Sequence, residues 1–419
     1  MAAATRSPCY HFPILETSNS RSVYPFPISH SLIPASLFRA RIEAGRTGLK
    51  AWPVVAIALM QVFLLAAHWF IYHTWVAFWL PLSPQAALAL RDILFVLAFS
   101  FITAALLGFR HANPPVTLLY RIAAVWLGFL NYFFWAACLC WLASFALTLL
   151  GLTANKPLLV AAFFGLAVVV GLYGLVNARF IRIRRISVQL RGLPASWRGR
   201  TALVVSDLHL GHINGRRFCR RIAELAARLN ADVIFFPGDL FDGAMADATA
   251  LAEPLRALAP PLGSYFSTGN HDEFGNAAHY GEILTRIGIR VLANEMVTVD
   301  GLDIVGVSDG DSSYPIRLRA TLDSLHLAPG QASILLNHIP SRLPIVEKAG
   351  ISLQLSGHTH GGQLFPFTWF TRYAFGRFIY GLQRFGSLQV YTSSGAGTWG
   401  PPMRVGTHSE IALLTFEQA

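Results

Sequence analysis

TALVVSDLHLGH, residues 201–212, joins a short apolar run to an acid and an imidazole two positions apart. Thr201–Ser206 reads as a strand, and residues i and i+2 of extended backbone project to the same side. Asp207 and His209 are therefore placed to offer a carboxylate and an imidazole to one metal ion. A D-x-H pair is common by chance, so its weight comes from what surrounds it. The same grammar recurs downstream. Val233–Phe236 is followed by Gly238-Asp239-Leu240-Phe241-Asp242, and Ser264–Ser267 by Gly269-Asn270-His271-Asp272. Ser333–Leu336 leads to Asn337-His338, and Ser352–Leu355 to Gly357-His358-Thr359-His360. Asp303–Val307 and Leu388–Thr392 are further strand candidates. Between them, Arg216–Leu229 and Ala246–Leu258 carry helical periodicity. Strands alternating with helices predict an α/β sheet with crossovers. Ligand-binding groups in such sheets gather at the carboxyl ends of the strands.

Each turn supplies a particular donor. Asp239 can bridge two cations, and the Asn270 carbonyl suits a hard metal. The set contains two carboxylates (Asp207, Asp239), an Asn (Asn270) and four imidazoles (His209, His338, His358, His360). That is the count for a two-metal site with mixed nitrogen and oxygen donors. His271 is left over, free to face a substrate as a catalytic group, with Asp272 beside it to fix its tautomer. His212 and Asp242 stand near these motifs. Arg404 is a candidate for a substrate phosphate or for a structural ion pair.

Outward from this half, the composition changes. The chain of 419 residues is 54% hydrophobic and only 13% charged, where soluble domains average about 25% charged. Residues 1–200 hold 17 Lys/Arg against three acids, and residues 201–419 hold 16 against 19. The basic residues flank apolar runs, which is a membrane pattern rather than a nucleic-acid-binding one. No nucleic-acid partner is expected. Ala51–Leu90, Ile93–Phe109, Ile122–Asn155 and Pro157–Ala178 carry no Asp, Glu, Lys or Arg. A span needs about 20 apolar residues, so four transmembrane helices are predicted, near 53–73, 92–110, 121–150 and 157–178. Arg39, Arg41, Arg46 and Lys50 precede the first, and Arg179, Arg182, Arg184, Arg185 and Arg191 follow the fourth. Positive residues stay in the cytoplasm, so both ends of the bundle are expected there. His68, His73 and His111 are read as interfacial, and Asn131 as a helix–helix hydrogen bonder. The four cysteines (Cys9, Cys138, Cys140, Cys219) form no C-x-x-C pair and are read as small apolar residues.

The expected organisation is thus a flexible tail (1–45), a transmembrane helical domain (46–178), a basic juxtamembrane linker (179–198) and a catalytic α/β domain (199–419).

Taken together, D-x-H, G-D, G-N-H-D, the strand-end His and G-H-x-H resemble the calcineurin-like metallophosphoesterases over roughly residues 200–415. Gly357–Gln363 and the tail from Tyr391–Gly397 through Pro401-Pro402-Met403-Arg404 to Ser409-Glu410-Ile411 are similar to a membrane-associated branch with YkuE- and YaeI-type proteins. The resemblance implies a β-sandwich flanked by helices with a dinuclear centre at one edge. It implies that Asp207, His209 and His360 hold one metal, that Asn270, His338 and His358 hold the other, and that Asp239 bridges them. His271 would stand near the leaving group. Two divalent ions (Mn, Fe or Zn) would activate a bridging hydroxide for in-line attack on phosphorus.

The function expected is a membrane-anchored phosphoesterase in the inner or plasma membrane with a cytoplasmic catalytic domain. Its substrate would be a phosphodiester, pyrophosphate or phosphomonoester linked to a lipid. Phe365–Phe385, rich in aromatics with Arg372, Arg377 and Arg384, is expected as a flap facing the bilayer. The alternatives are a soluble nucleotide or phosphoprotein substrate, and a membrane sensor or scaffold whose metal domain is regulatory.

Overall fold

Uncharged apolar sequence in a bilayer folds as helix because the backbone must satisfy its own hydrogen bonds. In the computed structural model, which describes residues 51–79, 81–243 and 246–419, this gives α1 (Ala51–Phe78), α2 (Pro84–Gly108), α3 (Pro114–Leu149) and α4 (Lys156–Asn177). All four are long and apolar enough to cross a membrane. The expected tail, residues 1–45, lies outside the described residues. Three helices begin with the same device. Ser83, Asn113 and Asn155 each accept a backbone N–H three residues on, with a proline in the first two helical positions. That side chain satisfies one of the otherwise orphaned N–H groups of the first turn. These caps start α2 and α3 earlier than the charge-free runs suggested. With 36 residues, α3 is about 54 Å long, well beyond the ~30 Å hydrocarbon layer.

Two readings of polar groups in the helices change. His68 is buried, with Nδ1 2.7 Å from the Leu64 carbonyl and Nε2 accepting from Trp126 Nε1. It is an interior bridge between α1 and α3 rather than an interfacial group, because α1 runs ten residues past it. Asn131 does not join helices. Its Nδ2 donates to the carbonyl of Phe365, in the C-terminal half of the chain.

The remaining chain forms two six-stranded sheets. The first has the order β1 (Ile181–Leu190), β12 (Ser409–Gln418), β2 (Thr201–Val204), β3 (Val233–Pro237), β4 (Ser264–Ser267) and β5 (Ile289–Val291). The second runs β10 (Gly381–Phe385), β11 (Leu388–Thr392), β9 (Leu353–Ser356), β8 (Ser333–Leu336), β7 (Leu302–Gly306) and β6 (Glu295–Val299). Neighbours β2–β3–β4–β5 are parallel, as are β7–β8–β9–β11. Between the sheets lies a core that includes Trp197, Val204, Phe235, Ile304, Ile334, Leu355, Tyr391 and Phe416. Burying each large apolar side chain contributes about 1.5–3 kcal/mol. Arg216–Leu229 and Ala277–Arg286 cover the outer face of the first sheet, and Pro315–Ser324 with Leu343–Lys348 cover the second. This is the expected helix-flanked β-sandwich.

One boundary moves. Half of the segment expected as a juxtamembrane linker is the ten-residue strand β1, paired in parallel with β12 along its whole length. Its basic residues alternate with Ile181, Ile183, Ile186 and Val188. The arginines are solvent-facing teeth of a strand, and the sandwich begins three residues after α4 ends.

Candidate metal centre

The parallel strands of both sheets end at one edge of the sandwich, and every sequence-predicted site residue sits there. Asp207 and His209 follow β2, Asp239 follows β3, and Asn270 with His271 follows β4. His338 follows β8, and His358 with His360 follows β9. The backbone is forced into unusual conformations to do this. Asp207, His209, Asp239, His358 and His360 all have φ between 46° and 68°. Left-handed backbone in non-glycine residues costs energy, and such strain collects at functional sites. Gly238 is needed for the close approach, since a Cβ there would lie 2.5 Å from His338 Nδ1.

Three groups of potential ligands result, one of them His209, Asp242 and His271. Asp207, His209 and His360 bring their ligand atoms within 4.8 Å of one another, as do Asp239, His338 and His358. Nε2 of His209 lies 3.0 Å from Nε2 of His360 and 4.0 Å from Asp207 Oδ1. In the second group His338 Nε2 is 3.1 Å from Asp239 Oδ2, and the same oxygen is 3.7 Å from His209 Nε2. Asp239 therefore stands between the groups. Asn270 Oδ1 is 2.9 Å from His358 Nδ1. The backbone N–H groups of His358 and His271 donate to Asp207 and Asp239 respectively.

The donor atoms fit a pair of divalent cations. Asp207 Oδ2 and His338 Nε2 are buried without a hydrogen-bond partner, although such atoms are normally paired. His338 Nδ1 lies 2.8 Å from the Pro237 carbonyl, which holds a proton on Nδ1 and leaves Nε2 as the free ligand atom. Crowding of like groups shapes the charges. Burial raises the Asp207 carboxyl, with Asp239 adding to it against the imidazoles. Burial would also raise Asp239, but His338 and then His209 outweigh it and hold that carboxyl well below the usual range. Burial and the neighbouring His338 push His358 down to about 3. His338 rises to about 10, because Asp239 and Asp207 overcome the burial. Two imidazoles and two carboxylates of such unequal basicity are what bound cations would even out.

The role foreseen for Asp272 is not the one its geometry supports. Its carboxylate is fully buried and accepts from the backbone N–H groups of Asp239, Phe241 and Gly269. It ties the β3 and β4 loops together and does not hydrogen-bond to the His271 ring. Burial, with Asp239 nearby, pushes it up to about 7. The group beside His271 is Asp242, whose carbonyl lies 3.3 Å and whose Oδ1 lies 3.9 Å from His271 Nδ1. Asp242 Oδ1 is also 3.7 Å from His209 Nδ1. The sequence signal was the second Asp of Gly238–Asp242, three residues after the first. Arg404 touches neither a carboxylate nor open space. It is fully buried and donates to the carbonyls of His360, Ser394, Gly395 and Gly397.

Aromatic rings surround the opening. Trp399 and Phe274 lie 5.4 and 5.6 Å from the His271 ring, and Phe375 lies 6.0 Å from His358. Sequence reading missed Trp399 and Phe274, because a lone aromatic in a loop carries no pattern. The segment expected as a flap contains the helix Phe367–Phe375, a short 3-10 turn and β10. No residue of that helix is buried; Trp369 is 65% and Tyr373 78% exposed.

The sequence profile of the calcineurin-like phosphoesterases matches residues 200–362, the stretch that carries every candidate ligand named above. A "Transmembrane protein with metallophosphoesterase domain" from Danio rerio is 35% identical over 267 residues, 60% of this chain and 61% of that protein. An uncharacterized metallophosphoesterase from Helicobacter pylori (strain J99) is 31% identical, covering 51% of this chain and 58% of its own length. The chain thus spans about three fifths of either relative. An uncharacterized metallophosphoesterase from Aquifex aeolicus is 30% identical over 262 residues, 60% of this chain and 98% of that protein.

Proposed function

The chain belongs to the calcineurin-like metallophosphoesterases, and from that we propose a membrane-anchored phosphoesterase acting on a lipid-linked phosphodiester, pyrophosphate or phosphomonoester. Within the family we place it with the membrane-associated branch similar to YkuE- and YaeI-type proteins, on the motif tail from Tyr391 to Ile411. Asp207, His209 and His360 would hold one divalent cation, Asn270, His338 and His358 a second, with Asp239 shared. When bound, the two cations would acidify a water and neutralise charge on the phosphate. The residues around them do the rest. Asp272 fixes the spacing of the Asp239 and Asn270 loops through three backbone N–H groups. His271 is anchored by its own N–H to Asp239 and has Nδ1 against the Asp242 carbonyl. Nε2 is then the atom that gives a proton to the departing oxygen. Burial and His209 lower its pKa, which favours the neutral ring, so the acid role draws on the imidazolium form, with Nδ1 on the Asp242 carbonyl.

One observation carries the lipid assignment. The rim of the site is an exposed aromatic surface that runs into the membrane-spanning helices through the Asn131–Phe365 hydrogen bond. Exposed aromatic rings with arginines nearby suit the headgroup region of a bilayer. A catalytic domain tethered there meets its substrate at high effective concentration. The basic residues after α4 support a cytoplasmic side for this domain.

The test uses the purified full-length protein in detergent. Hydrolysis of a chromogenic phosphodiester and the matching monoester is followed with Mn²⁺ and with chelator. Metal-dependent turnover that vanishes in Asp239→Asn supports the assignment. Two bound ions with no turnover on any ester, in micelles or vesicles, sinks it in favour of a sensor or scaffold.

A further inference from the structure

The transmembrane bundle is hydrogen-bonded to the loops that carry one half of the site. Two attachments make the connection, both within the compact unit Leu59–Ala419. The first is at His212, three residues beyond His209. Its ring is buried between α2 and α3, with Nε2 3.1 Å from the Gly108 carbonyl and Nδ1 3.0 Å from Thr117 Oγ1. Its carbonyl accepts from Arg121 Nε at 2.7 Å. Next to it, Ile213 packs against Ala104, Tyr120 and Ala124. Asn214 then donates to the Leu208 and Thr398 carbonyls, which closes the loop that carries Asp207 and His209.

The second attachment is at the end of α4. Asn177 Nδ2 donates to the carbonyls of Arg404 and Thr407, and the Arg404 N–H donates to the Gly174 carbonyl. From there the buried Arg404 guanidinium reaches the carbonyls of His360, Ser394, Gly395 and Gly397. The Gly397 and Ala396 N–H groups in turn donate to the Asp207 and Ser206 carbonyls. Both chains of contacts end on Asp207, His209 and His360. Among the described residues, no hydrogen bond from α1–α4 reaches the loops at 237–243, 268–275 or 337–339, which bear Asp239, Asn270, His271 and His338.

We propose that the helical bundle is a positioning element of the metal centre, holding the Asp207–His209–His360 subsite through His212 and Arg404 and reaching the His338–His358 subsite less directly, through the backbone pairing of Asp207–Leu210 with Gly238–Asp242 and the His358 N–H on Asp207. This rests on the two-cation reading above. Loss or shift of the bundle would empty one subsite and leave a single ion, so the membrane part would gate the centre as well as anchor it. His212 and Arg404 act through other residues and touch no reacting atom.

The experiment titrates Mn²⁺ into the full-length protein in detergent by equilibrium dialysis, with the electron paramagnetic resonance spectrum recorded in parallel. Asn177→Ala loosens one attachment. Thr117→Val with Arg121→Gln loosens the other, and all three changes lie on helices, away from the ligands. Wild type is expected to bind two ions with a spin-coupled spectrum. Each variant is expected to lose affinity for one ion by about tenfold, the smaller end of what outer contacts of metal ligands contribute, and to keep the other within a factor of about two, well under that effect. Its spectrum becomes that of an isolated ion, and adding His338→Gln removes that ion too. The retained ion reports that the sandwich is folded. Two ions at wild-type affinity in both variants, or equal weakening of both ions, overturns the inference. A wild type that binds no Mn²⁺ overturns the two-cation reading itself, and is distinguishable because it needs no variant.

Discussion

His271 is the residue whose loss separates binding from chemistry. It clusters with His209 and Asp242, outside the Asp207–His209–His360 and Asp239–His338–His358 groups proposed to hold the cations. His271→Ala should therefore retain both cations in a Mn²⁺ titration while turnover falls about 10²–10⁴-fold, the usual range for a lost general acid. Ion loss in that variant would contradict the assignment. Glu410 makes a prediction about stability. Its buried carboxylate accepts from Tyr391 and Tyr380 at 2.6 Å each, and from Ser393 and the Ser394 N–H. Burial pushes this group up, but His408, Tyr380, Tyr391 and Ser394 outweigh it and hold it below its ordinary value of 4.5. A depressed carboxylate contributes its full stabilisation above that ordinary value and loses it as pH falls through the folded one. Glu410→Ala should cost about 3 kcal/mol at pH 7 by stranding buried hydroxyls. The wild-type advantage in thermal midpoint should shrink below pH 4.5; an advantage unchanged down to pH 3 would refute this. Residue identity at the centre was legible in the sequence because each ligand type has few uses at a strand end. Asp272 and Asp242 were not, since adjacency in sequence does not say which way a carboxylate points once its turn is folded.

Among the elements, the helix Phe367–Phe375 has the most distinctive surface. It exposes Phe367, Trp369, Phe370 and Tyr373, which a soluble domain would bury. Replacing Trp369, Phe370 and Tyr373 by Ser should lower the rate on vesicle-borne substrate by roughly tenfold, corresponding to a loss of about 1.4 kcal/mol of interfacial binding. The rate on a soluble ester should stay near wild type. Equal losses on both would show that the helix supports the fold and not the interface. The strand β1 was hidden in the sequence for a different reason. Its Arg-rich stretch satisfies the charge pattern of a juxtamembrane segment, and its two-residue alternation became decisive only once β12 lay beside it. The short strands β5 and β6 were likewise unmarked, with three and five residues and mixed polarity.

At the level of the whole molecule, the arginines after α4 and the four apolar helices among the described residues lead us to propose a cytoplasmic sandwich. A C-terminal fluorescent protein should be bright and a C-terminal alkaline phosphatase inactive in a bacterial host. The reverse pattern would place the sandwich on the opposite face. The structure adds that the bundle and the sandwich are joined by hydrogen bonds at His212, Asn131, Asn177 and Arg404. An anchor on a free linker would need none of these.

The apolar runs and the strand-end motifs were enough to predict four spans, an α/β domain and the candidate metal ligands that the fold gathers at one edge, while the two-sheet sandwich came from the family resemblance. Local chemistry fixes these: a charge-free run has few alternatives to helix in a bilayer, and the ordered set of Asp, Asn and His turns suits few sites but a metal pair. Only the tertiary structure decided that Asp242 stands beside His271, that Asp272 stitches loops, that Arg404 holds carbonyls, and that the bundle reaches the Asp207–His209–His360 side of the centre. The first three depend on how separate loops fold against one another, and the last on contacts between segments more than a hundred residues apart, whose geometry no local pattern records.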